Sequence, residues 1–277
     1  MADNVLAQRM FPFDIKDLGA SFKRYFEIVP ALTPALRDEA FRIRHRVYCE
    51  ELQFEPSRPD GREMDEYDAH SLQCLIRSVK SGEFVGCTRV IFCRPGNPHY
   101  PFPFERTCEA SLDRSIVDPQ ELPRHTIAEV SRLAVVRSYR LRRDEHRSPA
   151  PMISEESFGR KEESGDALPR FPYIPVALYL ATTELAALHG IDTLFVLTEP
   201  KLARHFARLG VNIRRIGAPV DHRGIRVPSA LDVREILDGL NFIMRPLHEE
   251  IAGEVRRGIA AQREQPGYQS HVATTIA

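Results

Sequence analysis

The stretch that most constrains the fold runs from Ile127 to Arg140, I-A-E-V-S-R-L-A-V-V-R-S-Y-R. Its first ten residues alternate as a strand does. That puts Ile127, Glu129, Ser131, Leu133 and Val135 on one face and Ala128, Val130, Arg132, Ala134 and Val136 on the other. So apolar a strand belongs inside a sheet, yet it carries a carboxylate and a guanidinium, each costly to bury without a partner. Strict alternation sends Glu129 and Arg132 to opposite faces; a bulge near Ser131 to Val135 would bring them together. Two readings stay open at this point, a structural ion-pair system and a reaction centre.

The elements around this strand predict an α/β fold. Phe26 to Val29 reads as a short first strand. Thr33-Pro34 opens a helix, because a hydroxyl caps free amides and proline suits the first turn; Leu36, Ala40, Ile43, Val47 and Leu52 then fall on one face. That helix crowds Arg42, Arg44, His45 and Arg46 ahead of Glu50 and Glu51, a pattern that fits a solvated basic face. Residues 53–63 are a loop by composition and lead into M-D-E-Y-D-A-H-S, where Asp65 and Asp68 bracket Tyr67. Asx-turns and a functional loop both explain that pair.

Leu72 to Ser78 and Phe84 to Phe92 form a hairpin, with Gly86 permitting a bulge or close backbone approach. Arg89 shares a face with Val85, Cys87 and Ile91, so it either snorkels at a rim or answers a buried carboxylate. A short helix is expected near Cys108 to Ser115. Residues 141–170 are dominated by charge, serine and proline and read as a mobile insertion. After it come a helix from Pro175 to His189 and strands at Thr193 to Thr198 and Val211 to Ile216, separated by a helix at Pro200 to Leu209. The last helices begin at Ser229 and Pro246, so the C-terminal helices span about 229–261. The order predicts one domain over 1–277, its core at about 25–240, with a central mixed β-sheet flanked by helices.

Composition narrows the function classes. The 38 Lys and Arg nearly balance the 39 Asp and Glu across 277 residues, so no net positive charge draws the whole molecule to nucleic acid or anionic lipid. Five cysteines without a C-x-x-C pair suit buried, reduced thiols in a cytoplasm and supply no metal-ligand cluster. The first residues lack the basic head and apolar core of a secretory signal. Ile174 to Leu188 is broken by Thr182, Thr183 and Glu184 and falls short of the roughly 20 apolar residues of a membrane span. The expectation is a cytoplasmic protein with no transmembrane segment.

Four motifs recur in order: Arg44 on the first helix, Met64-Asp65-Glu66-Tyr67-Asp68, Gly86-Cys87-Thr88-Arg89, and Glu129-Val130-Ser131-Arg132. Together they resemble the acyl-homoserine-lactone synthases and long-chain N-acyl amino acid synthases of the GNAT (acyl-CoA N-acyltransferase) fold. V-Y-C-E-E-L-Q-F-E-P, A-E-V-S-R-L-A-V and L-T-E-P-K-L-A-R-H-F-A-R-L-G are similar to the acyltransferases associated with PEP-CTERM/exosortase systems. The resemblance implies an N-acyltransferase that moves a fatty acyl group from acyl carrier protein to the amine of an amino acid or similar acceptor, with no tightly bound cofactor.

By that resemblance Glu129, Ser131 and Arg132 are catalytic. Arg44, Asp65, Asp68 and Arg89 surround the acceptor, and a backbone amide near Leu133 to Val135 receives the carbonyl. Pro175 to Leu188 and Thr193 to Leu197 would wall an acyl pocket, or serve as core. Tyr139, Tyr173 and His205 fall near the expected cleft. Coenzyme A dependent relatives follow this strand with a glycine-rich pyrophosphate turn; here Arg137-Ser138-Tyr139-Arg140-Leu141-Arg142-Arg143 offers no glycine. That favours the phosphopantetheine thioester of acyl carrier protein as donor, and the arginines suit an acidic carrier. Tryptophan is absent and Phe54 stands where the lactone synthases carry one in the N-terminal lid, which weakens a reading based on S-adenosylmethionine. The alternatives are that lactone synthase reading and a catalytically silent GNAT-like acyl-binding module.

Overall fold

The computed structural model describes residues 18–140, 174–208, 211–242 and 244–264. The predicted insertion, Tyr173, Arg142, Arg143 and residues 1–17 and 265–277 lie outside these residues, as does the side chain of His205.

Helix α1 (Leu18–Tyr25) buries Leu18 and Phe22 and feeds directly into β1 (Phe26–Pro30). Helix α2 (Pro34–Arg44) starts as its sequence dictates, with the Thr33 side chain accepting from the Leu36 amide and Pro34 in the first turn. It does not continue as an α-helix to Leu52. His45–Glu51 is wound as a π-helical turn, which shifts every later side chain around the axis. The hairpin consists of β2 (Ser71–Ser78) and β3 (Phe84–Ile91). Gly86 serves both expected roles: the register slips between Ile76 and Arg77 beside it, and a Cβ there would lie 2.9 Å from the Ala134 carbonyl oxygen.

The helix expected near Cys108 falls earlier, as α3 (Pro103–Thr107), because the Glu105 carboxylate reaches back to the Phe102 amide at 2.8 Å and fixes the start there. Strand β4 (Ile127–Val135), helix α4 (Ile174–Leu188), strand β5 (Thr193–Thr198) and helix α5 (Pro200–Arg208) follow the sequence reading. The strand predicted over Val211 to Ile216 shrinks to β6 (Arg214–Arg215), and β7 (Val220–Asp221) adds a second short edge piece. Ser229 begins no helix. It lies in β8 (Ile225–Asp232), which pairs with β5 along Thr193 to Thr198, and the helix waits until Asp232 can cap it: α6 (Val233–Gly239) has the Asp232 side chain accepting from Glu235. Helix α7 (Arg245–Arg263) ends the described chain.

The sheet order is β1-β2-β3-β4-β5-β8-β6, with β7 on β8. All described pairs are antiparallel except β4 with β5. That parallel pairing stops at Val130 opposite Val196, although both strands run on. Beyond it β4 stays with β3 and β5 with β8, so the two strands part and an opening forms in the middle of the sheet. Helix α2 packs on the face that carries Cys87, whose Sγ lies 3.8 Å from the Ala40 carbonyl oxygen; α4 packs on the other face against Val130. All five cysteines are free and buried, and burial pushes the Cys87 thiol up to about 12. Among the described residues, no helix is long and apolar enough to cross a membrane.

Candidate active site

The centre of the site is the second half of β4. Opposite β3, Cys87 faces Ala134 while Arg89 faces Ser131, so β3 advances two residues where β4 advances three. The extra residue is a β-bulge at Arg132, whose φ of 55° lies in the left-handed region. Residues directly opposite one another share a face. Ser131 therefore sits with Arg89 and Glu129 with Ile91, and Arg132 is turned onto the same side. The alternation read from the sequence is broken here, and Leu133 changes face relative to Ile127. The strain buys a cluster: side chains that simple alternation would separate converge.

Arg44, Arg89 and Arg132 meet Glu63, Asp65 and Asp68, three guanidinium groups against three carboxylates. Arg44 donates to Glu63 at 2.5 Å and to both Asp68 oxygens at 2.6 and 3.0 Å. Arg89 donates to both Asp65 oxygens at 2.6 and 3.0 Å, to Asp68 at 2.8 Å and to the Ser131 hydroxyl at 3.2 Å. Arg132 donates to Glu63 at 3.1 Å and Asp65 at 3.0 Å. Arg44 and Arg89 are wholly buried, so Arg44 is no part of a solvated face, and the fork geometry of each arginine is used in full.

Asp65 and Asp68 also form a reciprocal cap on the short 3-10 turn Glu66–His70: Asp65 accepts from Tyr67 and Asp68 accepts from Asp65. The turn and the charge network are thus one structure. Burial alone would raise these carboxyls, but the arginines outweigh it: Arg89 and Arg44 hold Asp68 well below the usual carboxylate range, Arg89 lowers Asp65, and Arg44 with Arg132 lowers Glu63.

Glu129 stands apart from this exchange. It is 2% exposed, and its carboxyl accepts from the Phe104 amide at 2.9 Å among Ile127, Phe104 and Phe195. Burial pushes it up to about 8; the Phe104 amide, Arg89 and Arg132 only partly offset that. A carboxyl poised there exchanges its proton near neutral pH, as an acid–base group must.

Two contributors were not singled out from sequence. Glu63 is the third carboxylate, and three arginines set against two aspartates was the signal that one was missing. Tyr48 is the other. The π-helical turn aims it at the bulge, where its hydroxyl donates to the Leu133 carbonyl at 2.9 Å and its ring lies under Arg132, 5.8 Å from ring centre to guanidinium. Tyr139, expected near the cleft, packs edge-on against Phe26 at 6.1 Å.

On the opposite face of the sheet, behind the opening between β4 and β5, lies an apolar cavity of about 30 Å³ lined by Val130, Val176, Tyr179, Leu180, Leu194, Val196, Phe206 and Leu231, among others. The α4 and β5 segments are buried core and also line this cavity. The Thr198 hydroxyl, buried on this lining, has no hydrogen-bond partner among the described residues. The same residues contain no group of three or more His, Cys, Asp or Glu placed to hold a metal ion.

Residues 43–146 match the acetyltransferase (GNAT) domain family. The fold is that of the GNAT acyltransferases: BjaI, a CoA-dependent acyl-homoserine lactone synthase solved with MTA, superposes with a TM-score of 0.52 at 20% identity over 85% of this chain and 99% of that one. TofI, in a ternary complex with an inhibitor and MTA, gives a TM-score of 0.51 at 23% identity over 75% of this chain and 91% of that one. FeeM, an N-acyl amino acid synthase from uncultured soil microbes, aligns at 0.48 with 16% identity over 79% of this chain and 97% of that one. No curated protein sequence matches the chain.

Proposed function

We propose that the protein is an N-acyltransferase that moves a fatty acyl group from the thioester of acyl carrier protein to the amine of an amino acid or similar small acceptor. The observation that carries this reading is the β4 bulge. It sets Glu129, Ser131 and Arg132 on one side of an opening in the sheet that leads to an apolar cavity on the other. An acyl chain crossing at that opening would leave its thioester carbonyl beside Ser131 to Val135, with its first carbons entering the small cavity, which the lining side chains must move to enlarge, and the acceptor on the Glu129 side.

In the reaction, the Glu129 carboxylate takes a proton from the acceptor ammonium, directly or through one water. The freed amine attacks the thioester carbonyl, a C–N bond forms, the C–S bond breaks and the thiol leaves with a proton. A backbone amide of the bulged segment Leu133 to Val135 receives the transient oxyanion, since a bulge frees ladder groups. Arg44, Asp65, Asp68 and Arg89 already satisfy one another, so their part is to hold the bulge and Ser131 in place. The glycine-free turn after β4 supports a carrier-protein donor. The buried free cysteines support a cytoplasmic setting. The motifs V-Y-C-E-E-L and A-E-V-S-R-L-A-V support a place beside a PEP-CTERM/exosortase system.

Incubation with acyl-loaded carrier protein and a panel of amines, read by mass spectrometry, tests the reading. An N-acyl product is expected. Absence of both product and thiol release with every amine would refute it. The second reading, a lactone synthase using S-adenosylmethionine, is favoured by the shared fold with BjaI and TofI, and an acyl-lactone in the same assay would promote it.

A further inference from the structure

Glu51, the last residue of the π-helical turn, has an unusual set of partners. Both its oxygens accept from the Arg137 amide, the second backbone N–H beyond β4, at 3.2 and 3.0 Å. It accepts from Arg46 at 3.2 Å and from Arg140 Nη2. Arg140 is 6% exposed, yet its Nη1 has no hydrogen-bond partner among the described residues. Two guanidinium groups, those of Arg46 and Arg140, and the Arg137 backbone amide thus surround one carboxylate and leave a buried donor unused, where a pair serving only as a strap would be complete. Burial lowers Arg140 from its ordinary value, with Glu51 opposing the effect and Arg137 and Arg46 adding to it, and the unused Nη1 leaves this buried guanidinium able to take one further acceptor.

The position matters if acyl transfer is the activity, and the inference rests on that reading. From Ser131 to Arg137 the chain advances six residues but is bulged at Arg132 and strand only to Val135, so it spans less than the roughly 20 Å of a fully extended run, within reach of a pantetheine arm running out along β4. The phosphate end of a donor would arrive at Arg137 and Arg140.

We propose that Glu51 is a built-in anion that fills this arginine nest and selects against thioester donors carrying a nucleotide diphosphate. It is a specificity-determining residue for the donor. A diphosphate entering the nest must displace the carboxylate or sit against it, and like charges in contact repel strongly. A carrier-protein donor has only the single phosphodiester, which Arg140 Nη1 can take while Glu51 stays in place.

Calorimetric titration of the full-length protein with desulfo-coenzyme A, 4′-phosphopantetheine and inorganic pyrophosphate tests this. The native protein should bind desulfo-coenzyme A no more than about threefold tighter than 4′-phosphopantetheine, so that the nucleotide adds little. Glu51→Gln should tighten desulfo-coenzyme A and pyrophosphate by about tenfold or more, and adding Arg140→Gln should remove that gain. A native preference for desulfo-coenzyme A of about tenfold or more, no gain in a Glu51→Gln variant that melts like the native protein, or no binding by any variant would each overturn the proposal. Should Glu51→Gln fail to fold, the comparison on native protein decides. Acyl transfer from carrier protein is assayed in parallel: its absence from every donor counts against the acyl-transfer reading, whereas normal transfer with unresponsive titrations counts against Glu51 alone.

Discussion

At the residue scale the decisive contrast is between carboxyls that arginines hold ionised and the one that burial keeps protonated. Glu129, pushed up to about 8, is mostly neutral at pH 7, so a rate that needs its carboxylate should climb with pH and level off above about 8, which a pH–rate profile would record. The sign for stability is opposite. The folded carboxyl holds its proton to higher pH than the unfolded one, so the native state binds more protons between the ordinary carboxylate range and about pH 8. The contribution of this group is therefore lost as pH rises through that window. Glu129→Gln keeps an acceptor for the Phe104 amide and should melt at or above the native temperature at pH 8.

Asp68 behaves in reverse. Its pKa is depressed, so its contribution is present above the unfolded value and is lost as pH falls. Asp68→Asn leaves Arg44 and Arg89 short of a partner and should cost roughly 3–5 kcal/mol by denaturant unfolding at pH 7. Arg89 and Glu129 were legible in the sequence because charge inside apolar strands demands an explanation, whereas Arg44, Asp65 and Asp68 stood out only through the ordered motifs, since taken singly they suit a solvated helix face and a loop. Glu63 was not, because it sits in a charged, proline-bearing segment where one more carboxylate looks like any solvated loop residue.

At the scale of elements, two irregularities make the site: the π-helical turn and the β4 bulge. They meet at one hydrogen bond, from Tyr48 to the Leu133 carbonyl. Tyr48→Phe leaves that buried carbonyl without its donor and should cost about 1–3 kcal/mol of stability, measured by denaturant unfolding, and should lower turnover more than it raises the acceptor KM. The opening between β4 and β5 makes a separate prediction: Leu180→Phe fills the cavity behind it, so the preferred acyl chain should shorten in a mass-spectrometric survey of products. The bulge could be anticipated from a conflict in the sequence, since alternation separated side chains that the chemistry needs together. The π-helical turn could not, because R-H-R-V-Y-C-E-E continues the apolar spacing of α2 without interruption. Ser229 to Asp232 misled for a related reason. Ser-Ala-Leu-Asp suits a helix start locally, and only pairing with β5 makes it a strand.

At the scale of the molecule, the sheet divides the labour. One face carries α2, the 3-10 turn and the charge network, the other carries α4 and the apolar cavity, and the parting of β4 from β5 joins them. Strand and helix order made the α/β class legible, because period-two and period-3.6 patterns survive in most elements. What sequence could not supply was the place where a parallel pairing ends, since that depends on β3 holding β4 and β8 holding β5 along their outer edges beyond that point. The most direct test is the rate of thiol release when native protein and Glu129→Gln are mixed with acyl-loaded carrier protein and a productive amine. Rapid release by the native protein and a fall of roughly 10²-fold to 10⁴-fold in a variant that melts normally is the predicted result; equal rates for the two proteins would contradict it.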